Sequence, residues 1–262
     1  MCIRDRATVI AQYVSGIGIM ICALIKCPQL RALCSRSPIH ASRIREIAGY
    51  SILTCVQQSV MNFGILMVQG LVNSFGPAVM AAFAAAVKID SFAYMPAQDF
   101  GNAFSTFIAQ NYGARETGRI RSGLKSAVCI SMAFCLVVSA LVFVFSRPLM
   151  TIFVEAGETE IIQAGVQYLR IEGAFYCGIG CLFLLYGLYR ALEKPGMSVV
   201  LTVISLGTRV ALAYLLSAIP AVGVVGIWWS VPIGWFLADM TGLLYFKIRK
   251  NKLLPLDKAS IR

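Results

Sequence analysis

Charge is scarce in this chain. Only 13% of its 262 residues are Asp, Glu, Lys or Arg, and the 12 acids are outnumbered by 23 bases. The single histidine, His40, lies in a basic connector outside every apolar run, which excludes histidine-based catalysis in a hydrophobic interior. No GxxxxGK[ST], HExxH or GxSxG occurs, so nucleotide-driven work, zinc proteolysis and serine-type hydrolysis have no motif to stand on. The nine cysteines are odd in number, lie mostly within apolar segments and lack metal-ligand spacing, which argues against a disulfide scaffold and a zinc site. Cys177 and Cys181 continue from Gly173 as a ladder of small residues at a spacing of four, a pattern of close helix packing. No enzyme, cofactor or metal site is expected.

What the chain has instead is apolar length. Hydrophobic residues make up 58% of it and the mean hydropathy is +0.76, more apolar surface than a soluble domain can bury. Seven runs stand out: Ala7 to Ile25, Ala48 to Val72, Pro77 to Ile108, Leu124 to Phe145, Ala164 to Tyr189, Met197 to Ala218 and Val222 to Phe246. At a rise of about 1.5 Å per residue each crosses a hydrocarbon core of about 30 Å. The fold class is therefore all-α and polytopic in a lipid bilayer.

The bases are sorted by side. Connectors after the first, third and fifth runs, with the tail, hold 17 of the 23 Lys and Arg, whereas the intervening connectors hold only Arg147, against Glu155, Glu158 and Glu160. The positive-inside rule places the tail in the cytoplasm, and a multi-pass plasma-membrane protein is expected. The net charge of +11 then faces an anionic inner leaflet and calls for no nucleic acid. Seven spans with an internal C-terminus put the N-terminus outside, yet no leader precedes the first run. The chain reads as a fragment, with residues 1–6 a non-native start.

Polar groups inside the runs are the candidate functional residues, because an ionisable side chain at the bilayer centre costs several kcal/mol unless it is paired or wet. Lys88 and Asp90 lie about 17 and 20 Å into the third run. Their spacing of two sends them to different helix faces. Glu172, about 12 Å from the outer end of the fifth run, and Arg209, about 14 Å from the outer end of the sixth, are level, as a structural ion pair or a cavity group would be. Gln57, Gln58 and Asn62 in the second run suit either interhelical hydrogen bonds or a cavity lining. Pro96 removes a backbone hydrogen bond and predicts a kink near Met95, a candidate hinge. The aromatics Phe63, Phe83, Phe92, Tyr94, Phe175, Tyr176, Tyr186 and Trp235 suit cation–π contact with flat cations and equally suit packing against lipid.

The stretch from Ala81 to Arg115, ending in QNYGA and a basic turn, is the most distinctive text. With Gln58, the NSFGP turn, and the GTRVALAY and GVVGIWWSVPIGW segments, it resembles the C-terminal half of the multidrug and toxic compound extrusion (MATE) transporters. The resemblance covers Ala7 to about Lys252. It implies twelve spans in two six-helix lobes, with organic cations or other small amphipathic compounds exported against H+ or Na+. On that mapping 7–25 is the last helix of the first lobe, 26–49 the cytoplasmic inter-lobe connector, 50–246 the complete second lobe and 247–262 a basic tail. The rest of the N-terminal lobe, a necessary partner, is missing. Glutamines at 57 and 58 stand where the family often carries an acidic cation ligand, which departs from the sodium-site pattern of one branch. A lipid-linked saccharide flippase of the same superfamily is the alternative, although it would favour a more cationic cavity. A seven-span receptor or retinal protein shares the topology and is disfavoured, since retinal needs a lysine in the last run and none lies there.

The charge asymmetry generates a direct test. Cysteine probes at Gly157, Ser37 and Asn251 are expected to react from outside intact cells only at position 157. Labelling of all three would reverse the orientation argument.

Overall fold

The computed structural model describes residues 2–26 and 41–253. His40, Ser37, the rest of the 27–40 connector and the tail beyond 253 lie outside the described residues. The helices are α1 (Cys2–Lys26), α2 (Ala41–Asn73), α3 (Pro77–Gly113), α4 (Thr117–Thr151), α5 (Thr159–Gly173), α6 (Tyr176–Ala191), α7 (Pro195–Ser217) and α8 (Val224–Leu253), with no strand among the described residues. The chain divides into two units, Met1–Gly49 and Tyr50–Arg262. In the first unit, α1 takes in Cys2 to Arg6, so this charged start is helical in continuity with the apolar run.

Among the described residues six helices are long and apolar enough to cross a membrane, and α5 with α6 adds a bent pair. The fifth run is thus not one straight span. It starts earlier than expected, at Thr159, and breaks after Gly173, with a bend of 53° between the two helices. The helices have 15 and 16 residues, so each alone reaches only about 22–24 Å and neither spans by itself. The break also separates Gly173 from Cys177 and Cys181, so the small-residue ladder is not one stripe.

An interrupted helix in hydrocarbon is tolerated only where its freed backbone groups find partners. They do here. The Ser139 hydroxyl of α4 donates to the carbonyl of Gly173, the Phe175 N–H to that of Glu172, and the Gly178 N–H to that of Phe175.

Turn chemistry sets the other ends. Gly76 at φ 101 precedes Pro77 at the first turn of α3, combining the residue that tolerates positive φ with the one pre-set for a helix start. At the opposite end of the lobe, Arg115 (φ 57) and Glu193 (φ 58) take the left-handed conformation after α3 and α6. The next N–H groups, of Glu116 and Lys194, reach back to the carbonyls of Asn111 and Tyr189, closing each helix in a Schellman-type cap.

The core of the second unit is organised around α6, which packs on α3, α4, α7 and α8. Its side chains from Leu182 to Tyr189 are nearly all buried. That suits a helix apolar on every face. Close approach comes from glycine: a Cβ on Gly187 would stand 2.5 Å from the Gly101 carbonyl oxygen of α3, and one on Gly234 of α8 2.5 Å from that of Ser205 of α7. Such small-residue contacts let backbones meet where no hydrophobic force drives helix pairing. Tyr189 fastens α6 to α8 by donating to the Gly242 carbonyl at 2.6 Å.

Gly187→Ala is therefore expected to force α3 and α6 apart at a cost of about 1–3 kcal/mol. Gly207→Ala, where an added Cβ meets nothing within 4 Å, is the control and should leave stability equal or raised. Thermal unfolding of both variants in detergent checks this, and equal melting temperatures would remove the close-approach argument.

Candidate functional site

One cavity of about 390 Å³ opens among α2, α3, α5, α6, α7 and α8 within the second unit. On α3 it runs along Phe83, Val87, Asp90, Tyr94 and Gln98, a 3–4 spacing that lines one helix face. Pro96 falls inside the uninterrupted α3, on this stretch. Lys88 also lines the cavity although it lies off that face. Its long stem reaches the rim, where it is exposed, while Asp90 is only 5% exposed. The two residues, expected to face different surroundings, share one cavity in different states of solvation.

Glu172 enters from α5 and is 1% exposed. Because α5 starts at Thr159, Glu172 lies about 20 Å along its helix, matching Asp90 about 20 Å along α3 from Pro77. Equal depth is why the two acids meet. The Asp90 carboxyl faces Glu172, Tyr176 and Arg209, and Glu172 faces Asp90, Arg209 and Tyr168. Glu172 before the break between α5 and α6 and Tyr176 after it both stand beside Asp90.

Arg209 of α7 lines the same cavity, but the expected Glu172–Arg209 ion pair is not formed. Among the described residues no hydrogen bond or salt bridge joins them, and Glu172 Oε1, Arg209 Nε, Asp90 Oδ1 and Tyr176 Oη are each buried without a hydrogen-bond partner. Arg209 bears electrostatically on both carboxyls without pairing with either, and Glu172 stands beside Asp90 as well. Four polar atoms around one space thus lack a partner within the protein, a costly arrangement for buried groups.

Aromatic rings form the apolar wall. Phe83 stacks on Trp228 at 5.6 Å, and Tyr168 meets both edge-on at 5.6 and 5.0 Å. These rings come from α3, α8 and α5 near the end where the α4–α5 connector lies, and they close the lobe interior there. Tyr94, Tyr186 and Trp235 line the cavity as well. Phe63, Phe92 and Phe175, by contrast, are exposed.

Gln57, Gln58 and Asn62 of α2 do not line the cavity. Gln57 donates to Thr202 Oγ1 of α7 at 3.0 Å, an interhelical tie, while Gln58 and Asn62 are exposed on α2. Sequence reasoning missed Gln69, Gln98 and Tyr168, which line the space. Tyr168 lies four residues before Glu172, a spacing that shares its face. Asp239 forms a separate buried acid beside Cys181, with Oδ1 unpartnered.

The crowding of two acids on one arginine makes stability the first readout. Arg209→Gln is expected to cost about 2–4 kcal/mol, because it leaves two buried carboxyls without their cation. Adding Glu172→Gln should restore part of that loss. A double variant as unstable as Arg209→Gln alone, measured by thermal unfolding, would show that the three groups are not coupled.

Residues 51–215 match the MatE family model. Among curated proteins, the chain is 28% identical over 202 residues to the probable multidrug resistance protein YpnP of Bacillus subtilis, covering 77% of this chain and 44% of that one. It is 22% identical over 257 residues to the probable multidrug resistance protein NorM of Thermotoga maritima, covering 97% and 55%. The chain thus spans about half the length of the curated relatives it matches. Among solved structures, the bent form of the Vibrio cholerae MATE transporter VcmN superposes with a TM-score of 0.79 at 20% identity, over 90% of this chain and 55% of that one. A MOP superfamily transporter from Pyrococcus furiosus, described as having a binding pocket of reverse polarity, superposes with a TM-score of 0.76 at 20% identity, over 83% and 48%. With the family model covering more than half of its length, this multi-pass membrane chain belongs to the MatE family, whose members are transporters rather than enzymes.

Proposed function

We propose that this chain supplies the C-terminal lobe, with one preceding helix, of a secondary active efflux transporter that exchanges small cationic or amphipathic compounds for H+ or Na+. The observation that carries the reading is the pair of buried carboxyls, Asp90 and Glu172, facing each other in an aromatic-walled cavity. A buried carboxylate in a membrane lobe is a natural acceptor for a proton or a cation. The surrounding rings offer cation–π contact to a flat organic cation. The multidrug resistance names of the curated relatives support the same substrate class. Lys88 at the rim and Arg209 inside are proposed to hold the acids in check until a substrate or coupling ion displaces that interaction. Pro96, on the stretch of α3 that lines the cavity, is proposed as the hinge for alternating access.

Gln57 engages Thr202, and Gln58 and Asn62 stand on the exposed surface of α2, so a direct part for this trio in coupling is the least supported element of the proposal. The N-terminal lobe is taken to complete the cavity, the protein is placed in the plasma membrane, and the charge sorting of the connectors supports a cytoplasmic C-terminus. A second reading, export of an anionic or saccharide-bearing lipid, draws on Lys88 and Arg209 both lining the cavity and on the reverse-polarity pocket described for the Pyrococcus relative. The two buried acids weigh against it.

In a full-length transporter carrying this lobe, efflux of a cationic dye is expected to follow an inward proton or sodium gradient and to fall with Asp90→Asn. Dye efflux per folded molecule is the measurement. Unchanged normalised efflux with intact gradient dependence would remove Asp90 from the mechanism.

A further inference from the structure

A second cavity, of about 340 Å³, lies at the end of the lobe where α4 gives way to α5, and it is lined by Arg147, Thr159, Ile162, Gln163, Val166 and Arg170. Helix geometry explains why two arginines meet there. Cα–Cβ bonds tilt toward the N-terminus of their helix. Arg147, one turn before the end of α4, therefore leans deeper into the lobe, and Arg170, near the end of α5, leans outward. Arg170 is held in place: its Nε donates to Ser146 Oγ at 3.4 Å and its guanidinium lies over the Phe143 ring at 5.5 Å. Neither arginine forms an ion pair among the described residues, although Glu155, Glu158 and Glu160 lie in the adjoining connector and first turn of α5. Two like charges share one space with no carboxylate between them.

We propose that this cavity binds the phosphate of an anionic phospholipid drawn from the surrounding bilayer. The guanidiniums supply paired N–H donors suited to phosphate oxygens, and the Thr159 hydroxyl and Gln163 amide add neutral donors at the rim. Two observations select a lipid over a free anion. First, the α4 face below Arg147 carries Phe143, Val144 and Leu136, which are 46%, 66% and 61% exposed and sit at helical spacing under the arginine, a track for an acyl chain. Second, three glutamates near two arginines leave this end with no long-range pull on anions. Capture then depends on contact, which favours a ligand already concentrated in the membrane plane. Arg147 lies about 6 Å from the end of α4, close to headgroup depth.

Native mass spectrometry of the full chain with phosphatidylglycerol or phosphatidylcholine of the same acyl chains tests this. Phosphatidylglycerol is expected to be retained preferentially. Arg147→Gln should lower its retention about fivefold, the equivalent of one interfacial basic contact, and adding Arg170→Gln should abolish the preference. Gln167→Ala, exposed on α5 outside the cavity lining, should change nothing. Among the described residues Arg147 makes no hydrogen bond or ion pair, so its loss reads binding rather than folding, and Arg147→Lys should fall between the parent and Arg147→Gln. Equal retention of the two lipids, indifference to Arg147→Gln, or displacement of the lipid by millimolar inorganic phosphate would each overturn the proposal.

Discussion

Everything in this lobe depends on satisfying backbone polar groups in a medium that offers no water. An unpaired carbonyl in hydrocarbon costs several kcal/mol, so a chain this apolar has few options besides continuous helices. The single interruption among the described spanning segments, between α5 and α6, is instructive for that reason. It survives because Ser139 of α4 reaches the Gly173 carbonyl and two local N–H groups close the turn. Were α4 displaced, the break would lose its partner. The bend that positions Glu172 and Tyr176 against Asp90 is thus underwritten by a serine on a helix that does not line the cavity.

Packing between helices follows a different rule from that of a soluble core. Lipid and leucine are equally apolar, so helices gain little by merely hiding hydrophobic surface from each other. Contact is built instead from glycines that bring backbones together, at Gly101 with Gly187 and at Gly234 with Ser205, and from hydroxyls such as those of Tyr189 and Thr202 that tie neighbours. These contacts fix α6 at the centre and leave the space between α3, α5 and α7 open. The cavity is a consequence of where the glycines are as much as of the polar residues that line it.

Inside that cavity, charge is arranged without being cancelled. One arginine serves two carboxyls, and four polar atoms remain unpartnered. A purely structural network would be closed, because a half-satisfied buried network is worse for stability than an apolar filling. The incomplete pairing is the observation on which the proposed exchange of contents rests. The same contrast separates it from the two-arginine groove at the α4–α5 end, whose partners face the bilayer rather than the lobe interior.

By itself the sequence determined the class of the protein, the number and approximate limits of the apolar runs, and the sorting of charge between their ends, because hydropathy, Pro77 and Pro195 at helix starts and the basic connectors are local signals. It also marked Asp90, Glu172, Arg209 and Lys88 as anomalous, since ionisable residues in apolar runs are conspicuous on cost alone. Tertiary structure decided which helix faces turn inward. Gln58 and Asn62 look as suited to a cavity as Gln69 and Gln98 when read along the chain, yet only the latter pair lines it. Periodicity is silent there, because lipid-facing and lobe-facing sides are both apolar. The break after Gly173 was equally invisible: the run carries no proline there, and its interruption depends on Ser139, thirty-four positions away. So does the meeting of Glu172 with Asp90 in place of a private pair with Arg209, for equal depth on two helices becomes contact only once their neighbours have set the distance between them.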